Sequence, residues 1–386
     1  FISSEMSSAN REQTSARLNS LWSSIESDIF NSIPELSKSS KWDDILNSQP
    51  LLPAEKALQY GLIGHALYPD SIKGFLEDLL SYEIKKKQII GISKYKKSIK
   101  EPSGAHKIAV LIAEGEIKDG KGGNDGSITD GNMAEAISAI RKDKRIEAVI
   151  LRINSPGGSA LASDMIWQNI SLLAAEKPVY VSMGNVAASG GYYIAAPCKK
   201  IYASPMTITG SIGVFGLMFS AEELMHNKLG IKTQQVGTHP LSNLIAIDKG
   251  PSKEVLAVLQ NNVNHTYDRF KSVVSEGRQI DLSKVDSLAK GHVYSGNDAL
   301  EIGLIDEFGG LLDVIEDVQS TLDEPARLVF FPTQKDPLQE VINMLQVKSN
   351  EIFFSPKSVF LKDLENELQM LQNLDGPQMR LIDFKL

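Results

Sequence analysis

The sequence predicts an α/β fold of the crossover type, a parallel sheet whose strands are joined by helices, and it predicts that this unit is repeated. Three observations lead there. Short apolar β-type runs alternate with stretches of helical periodicity along most of the 386 residues. Two of the runs, Ala148 to Ile153 and Pro178 to Met183, are apolar throughout and end in small or glycine-rich residues, the pattern of a strand buried on both faces. Finally, Ala57-Leu-Gln-Tyr-Gly-Leu-Ile63 is echoed by Ala299-Leu-Glu-Ile-Gly-Leu-Ile305, each followed by a helix-like stretch, 70–82 and 310–319.

Taken in order, residues 1–31 are polar with apolar positions at Leu18, Leu21, Trp22, Ile25 and Ile29, the spacing of an amphipathic helix closed by Pro34. Short helices follow near 41–46 and 52–58, the second with Pro53 in its first turn. The lysines between Lys85 and Lys100 read as a solvated segment, the alternative being a contact for an anionic partner. A strand is expected at Lys107 to Ala113, then a Gly- and Asp-rich loop at 115–129. A helix at 130–142, capped by Asp130, would bury Met133, Ile137 and Ile140. Helices at 159–175, 222–229, 252–276 and 283–288 and strands at 199–203, 231–236, 292–294 and 328–331 complete the pattern. Beyond Ala326, residues 338–347 and 358–374 have amphipathic spacing. The expected organisation is the closing part of a first repeat at 1–83, a linker at 84–104, a complete second repeat at 105–325 and a helical extension at 326–386.

Composition narrows the function. Lys plus Arg total 40 against 48 Asp plus Glu, a net charge of −8, so a nucleic-acid partner is not expected. The one cysteine, Cys198, forms no internal disulfide and reads as a small buried residue. No phosphate-binding loop of the Gly-x-x-x-x-Gly-Lys-Ser/Thr type occurs, and neither a cofactor nor a metal is expected. No run of 18 apolar residues is present.

The chemistry concentrates between Lys144 and Gly216. Ser189 follows two alanines and precedes Gly190 and Gly191, at the exit of the strand at 178–183. Ligands of α/β sheets gather at such carboxyl ends. Small neighbours let a substrate backbone approach, and the first N–H groups of a helix opening at Gly190 would face developing negative charge. The Pro156-Gly157-Gly158 turn is a source of a second donor. The same residues also read as a tight junction with a capping serine. A nucleophilic serine needs a base, and none of the six histidines lies in a local signature; His239, in Gly237-Thr-His-Pro240, reads as a loop residue.

The motifs Asn154-Ser-Pro-Gly-Gly158, Asn185-Val-Ala-Ala-Ser-Gly-Gly-Tyr-Tyr193 and Ala203-Ser-Pro-Met-Thr-Ile-Thr-Gly-Ser-Ile-Gly-Val-Phe215 resemble those of the signal peptide peptidase A family, also called protease IV, in its long, duplicated Gram-negative form. The resemblance implies a Clp/crotonase-like fold in tandem, with the first repeat truncated here, and a serine endopeptidase that degrades cleaved signal peptides through a serine–lysine dyad. It implies Ser189 as nucleophile and Gly158 and Gly190 as oxyanion donors. It also implies Gly157, Ile212, Gly213 and Val214 as substrate-binding positions, Ile212 reading equally as a core residue. In the long form the lysine comes from the first half of the chain. Phe1-Ile-Ser-Ser-Glu-Met-Ser-Ser-Ala-Asn-Arg-Glu12 is similar to the stretch after it, so the lysine is expected upstream of Phe1, with Pro240 at the corresponding place of the second half. Lys249, the nearest lysine downstream, does not fit the motif. Partners implied are peptide substrates, further subunits in a homotetramer and the membrane, through a segment outside this chain. The implied location is the bacterial inner membrane, with the catalytic part facing the periplasm. Two rivals remain at this point: a crotonase-like acyl-thioester enzyme, and an assembly module without catalysis.

Overall fold

The computed structural model describes residues 5–38, 41–48, 51–85, 89–98, 106–122, 126–218, 220–234, 236–239, 241–242, 247–332 and 378–380. It divides into two compact units, one of Leu18–Ser103 and one of Phe1–Arg17 with Gly104–Leu386. The expected amphipathic segments at 338–347 and 358–374 lie outside the described residues.

The smaller unit is helical: α1 (Ser8–Ser32, which begins in the other unit), α2 (Lys41–Ser48), α3 (Ala54–Gln59), α4 (Ile72–Leu80) and α5 (Ile92–Ser98). Its best-packed point is Trp42, stacked on Trp22 at 5.9 Å, edge-on to Phe30 at 5.5 Å, with its indole N–H donating to Glu26. Helix α3 ends in a Schellman closure: Gly61 takes φ +76°, its N–H donates to Leu58 O, and the Leu62 N–H donates to Ala57 O.

The larger unit continues with β1 (Lys107–Glu114), β2 (Ile117–Lys118), β3 (Ile128–Thr129), α6 (Asp130–Lys142), β4 (Ile146–Ser155), β5 (Gly157–Ser159), α7 (Ala160–Glu176), β6 (Val179–Ala188), α8 (Gly190–Ala195), β7 (Lys200–Ala203) and β8 (Ile208–Gly210). After a π-helical turn at Leu224–Lys228 come α9 (Lys253–Arg278), α10 (Leu282–Leu288), β9 (Val293–Ser295), α11 (Gly296–Glu301), β10 (Glu307–Phe308), α12 (Leu311–Ser320), β11 (Arg327–Phe331) and β12 (Gln378–Arg380).

The main sheet runs β10-β7-β6-β4-β1-β11, every pair parallel. Alternate residues of its strands point to opposite faces, and both faces are dry. Ala109, Leu111, Val149, Leu151, Val179 and Val181 meet α6, α7, α8 and α9 on one side. Ile108, Ala148, Ile150 and Tyr180 meet Val314 and Val318 of α12 on the other. That is why these strands read as continuous apolar runs. The α/β class with parallel strands and helices is therefore as expected. Helix α6 has the expected span, but its cap is Thr129, whose hydroxyl accepts the Asn132 N–H, while Asp130 accepts the Gly120 N–H at 2.7 Å.

Two expectations are corrected. Residues 231–234 form no strand: Ile231 and Val236 are exposed, and an apolar alternation without a neighbouring edge has nothing to pair with. The expected inner-membrane placement is also overturned, because among the described residues no helix is long and apolar enough to cross a membrane.

Candidate active site

Strand β6 runs five residues further than its apolar core requires, through Gly184–Ala188, and delivers the chain straight into Ser189. Its last residues pair with β8, Ala188 opposite Gly210, and Ala187 also pairs with Ser155 at the end of β4. The Ser189 N–H donates to Gly210 O at 2.8 Å, and α8 begins at the next residue. The turn is abrupt: Ser189 has φ 54° and ψ −119°, a backbone conformation that a side chain disfavours by roughly 1–3 kcal/mol. Ala188 and Gly190 on either side leave room for it.

The side chain of Ser189 is as unusual as its backbone. The residue is fully buried, and its Oγ has no hydrogen-bond partner among the described residues. It makes no cap on α8, so the capping-serine alternative does not hold. Leaving a hydroxyl buried and unpaired costs about 1–3 kcal/mol. Two independent penalties thus fall on one residue, the mark of a group kept for chemistry rather than for stability.

Helix α8 is fixed around that turn. The Tyr193 N–H donates to Ser189 O, the Tyr192 hydroxyl donates to Leu304 O at 2.8 Å, and the Tyr193 hydroxyl donates to Asp164 of α7. Arg269 of α9 reaches the same carboxylate at 3.3 Å and lies over the Trp167 ring. Burial, with Asp164 as acceptor, pushes the Tyr193 phenol far above its ordinary range, so both tyrosines act as neutral donors.

The Gly157–Gly158 turn is brought to the same place, for β5 packs against α8. The Gly157 N–H donates to the Ser155 hydroxyl at 3.1 Å. Gly158 has φ 155°, and a Cβ there would meet Ile117 O at 2.0 Å. Gly191 is equally obligatory, since its Cβ would stand 2.7 Å from Ser155 O. The Gly190 N–H occupies the first position of α8, where a helix offers it no internal partner.

The three remaining predicted positions divide. Ile212 is fully buried in the main core, so its side chain fills the interior. Gly213 abuts Gly291, where a Cβ would lie 2.8 Å from Cα, and Val214 is partly buried against the core. His239 is exposed and bonded to Thr238, and Pro240 lies outside the described residues. Burial holds the Cys198 thiol up at about 12, so it stays protonated. Sequence reasoning missed Ser155, whose hydroxyl shapes the Gly157 turn; its position ahead of Pro156-Gly157-Gly158 was the only signal.

With the geometry in view, comparison with known proteins is decisive. The profile of peptidase family S49 matches residues 171–323, which include β6, Ser189 and α8. A putative protease of Synechocystis sp. is 34% identical over 186 residues, 48% of this chain and 67% of that protein. The chain belongs to peptidase family S49. Protease 4 of Salmonella typhi is 34% identical over 333 residues, covering 82% of this chain and 52% of its own. The chloroplastic serine protease SPPA of Arabidopsis thaliana is 36% identical over 282 residues, 70% of this chain and 42% of its own. The S49 chain thus spans about half the length of the curated relatives it matches. A solved structure of a ClpP1 mutant from Listeria monocytogenes covers 53% of this chain and 92% of its own, at 15% identity and a TM-score of 0.36, too loose a likeness to argue from.

Proposed function

We propose that this chain is the nucleophile-bearing part of a serine peptidase that hydrolyses peptides, remnants of signal peptides among them, through an acyl-enzyme on Ser189. The observation that carries the reading is the strained backbone of Ser189 together with its buried, unpaired Oγ. Family membership points to the same chemistry.

In the proposed reaction the Oγ attacks the scissile carbonyl carbon and its proton passes to a neutral lysine amine. The N–H groups of Gly158 and Gly190 hold the oxyanion. The lysine returns the proton to the leaving amine, and water then attacks the acyl ester, freeing the second product and the serine. A lysine can serve as base because burial disfavours its charged form and lowers its pKa towards neutrality. The absence of any partner on Ser189 Oγ among the described residues supports placing that lysine upstream of Phe1 rather than at Lys249 or His239. No step requires a cofactor.

The finer architecture belongs to the same proposal: a Clp/crotonase-like core, duplicated, with its first repeat ending near residue 83 and its second spanning 105–325, assembled as a homotetramer. One local detail supports the duplication. Around α11, the Gly303 N–H donates to Leu300 O and the Leu304 N–H to Ala299 O, with Gly303 at φ +83°, the same closure that α3 makes at Gly61 and Leu62.

The test is peptide hydrolysis by the protein extended upstream of Phe1 to include the family segment. Ser189→Ala is expected to lower turnover by at least about a thousandfold. Undiminished hydrolysis by that variant would overturn the assignment.

A further inference from the structure

We infer that residues 378–380 occupy the strand position a peptide substrate takes, so that the chain's own C-terminal segment is a displaceable occupant of the Ser189 site. The inference rests on the peptidase reading above and says how that site is guarded.

Strand β5 has two edges. One is held by β2, with Ile117 opposite Gly158 in parallel register. That edge is closed for good: Ile117 O lies where a Gly158 Cβ would be, at 2.0 Å. The other edge carries β12, antiparallel, with Gln378 opposite Ser159, Met379 opposite Gly158 and Arg380 opposite Gly157. β12 also packs against α7 and α8, the helix that starts immediately after Ser189. An extended peptide recognised through its backbone needs a free strand edge beside the nucleophile. The edge of β5 that reaches Gly157 and Gly158 is that edge, and it is taken. Ser189 is fully buried in this arrangement.

The occupant is suited to leave. β12 spans three residues, Gln378–Arg380, against ten for β4 or β6. A ladder that short contributes few hydrogen bonds, each of modest net worth in water. A substrate offering a longer extended backbone competes for the same edge, and release of β12 opens the approach to Ser189.

Three measurements on the upstream-extended protein test this, made with and without residues 376–386: deuterium exchange of the backbone amides at 157–159, the rate of fluorophosphonate labelling of Ser189, and KM for a peptide substrate. The deletion is expected to speed exchange at 157–159, to raise the labelling rate and to lower KM, the last two by roughly tenfold, with kcat unchanged. A synthetic peptide of residues 376–386 is expected to reverse all three. Met379→Pro, which removes one backbone donor from β12, should shift them the same way and serves if the deletion impairs folding. Unchanged exchange at 157–159 in both variants would show that β12 does not hold that edge and would overturn the inference. Faster exchange with unchanged labelling and KM would show that β12 does not block substrate, and would overturn it too. If exchange quickens but Ser189 is labelled in neither protein, the nucleophile reading fails and the inference falls with it.

Discussion

The two sheets of the larger unit are built on opposite principles. The main sheet takes strands of up to ten residues, β4 and β6, and seals both faces with helices, so that Ile150, Val149 and Leu151 are wholly buried. The small sheet, in the order β12-β5-β2-β3, has strands of two or three residues and is held by close backbone approach at Gly158 rather than by side-chain burial. The first is where stability comes from. The second, with the Ser189 turn beside it, holds an unpaired hydroxyl and a strained backbone that the first must offset. Catalytic geometry is thus placed where the chain is least stable locally, on a support that can bear it.

Substitutions on each side can break that contrast. The largest effect is expected at Gly158→Ala, where the new Cβ would drive β5 off Ile117 O and displace a proposed oxyanion donor. Peptide turnover should fall by about a hundredfold or more, as when an oxyanion donor is lost, while the melting transition of the main sheet persists. Ile150→Ala should do the converse: urea denaturation should show a loss of about 2–5 kcal/mol, with kcat of the folded fraction unchanged. A smaller and opposite shift is expected at Ser189→Gly. Glycine accepts φ 54° and removes the orphan hydroxyl, so denaturation should show a gain of about 1 kcal/mol or more while hydrolysis disappears.

The smallest effect is a pH dependence at the rim of the main sheet. His106 is bonded to Glu147, and that hydrogen bond, with the charge of the carboxylate, raises its pKa above the ordinary 6.5. A raised folded-state value contributes stability that is fully present below about pH 6.5 and is lost as pH rises through the raised value. The melting temperature should therefore slip between pH 6 and pH 8.5, and His106→Gln should flatten that slope. A variant that keeps the slope would assign it elsewhere.

The same contrast explains what could be read from the residues alone. β1, β4, β6, α6, α7 and α9 were legible because continuous or periodic apolar spacing reports burial directly. Strand β6 was read to Met183 yet runs to Ala188, since its last five residues are held by pairing with β4 and β8 rather than by an apolar run. β2, β3, β5 and β12 left no pattern, because two or three residues cannot show a period and their order depends on distant partners. The strand expected at 231–236 failed for the reverse reason: its alternation meets no edge. At the site, Ser189, Gly190, Gly157 and Gly158 were picked out by their small neighbours, and the structure brings their elements together. The backbone strain of Ser189, the role of Ser155 and the inward burial of Ile212 are three-dimensional facts that no spacing encodes.

The central claim is that one serine at the strained exit of β6 makes the covalent bond. Intact-mass and peptide-mapping analysis of the upstream-extended protein after fluorophosphonate treatment tests it most directly. The account predicts a single adduct on Ser189, absent from Ser189→Ala; an adduct on any other residue, with Ser189 unmodified in a protein that hydrolyses peptides, would contradict it.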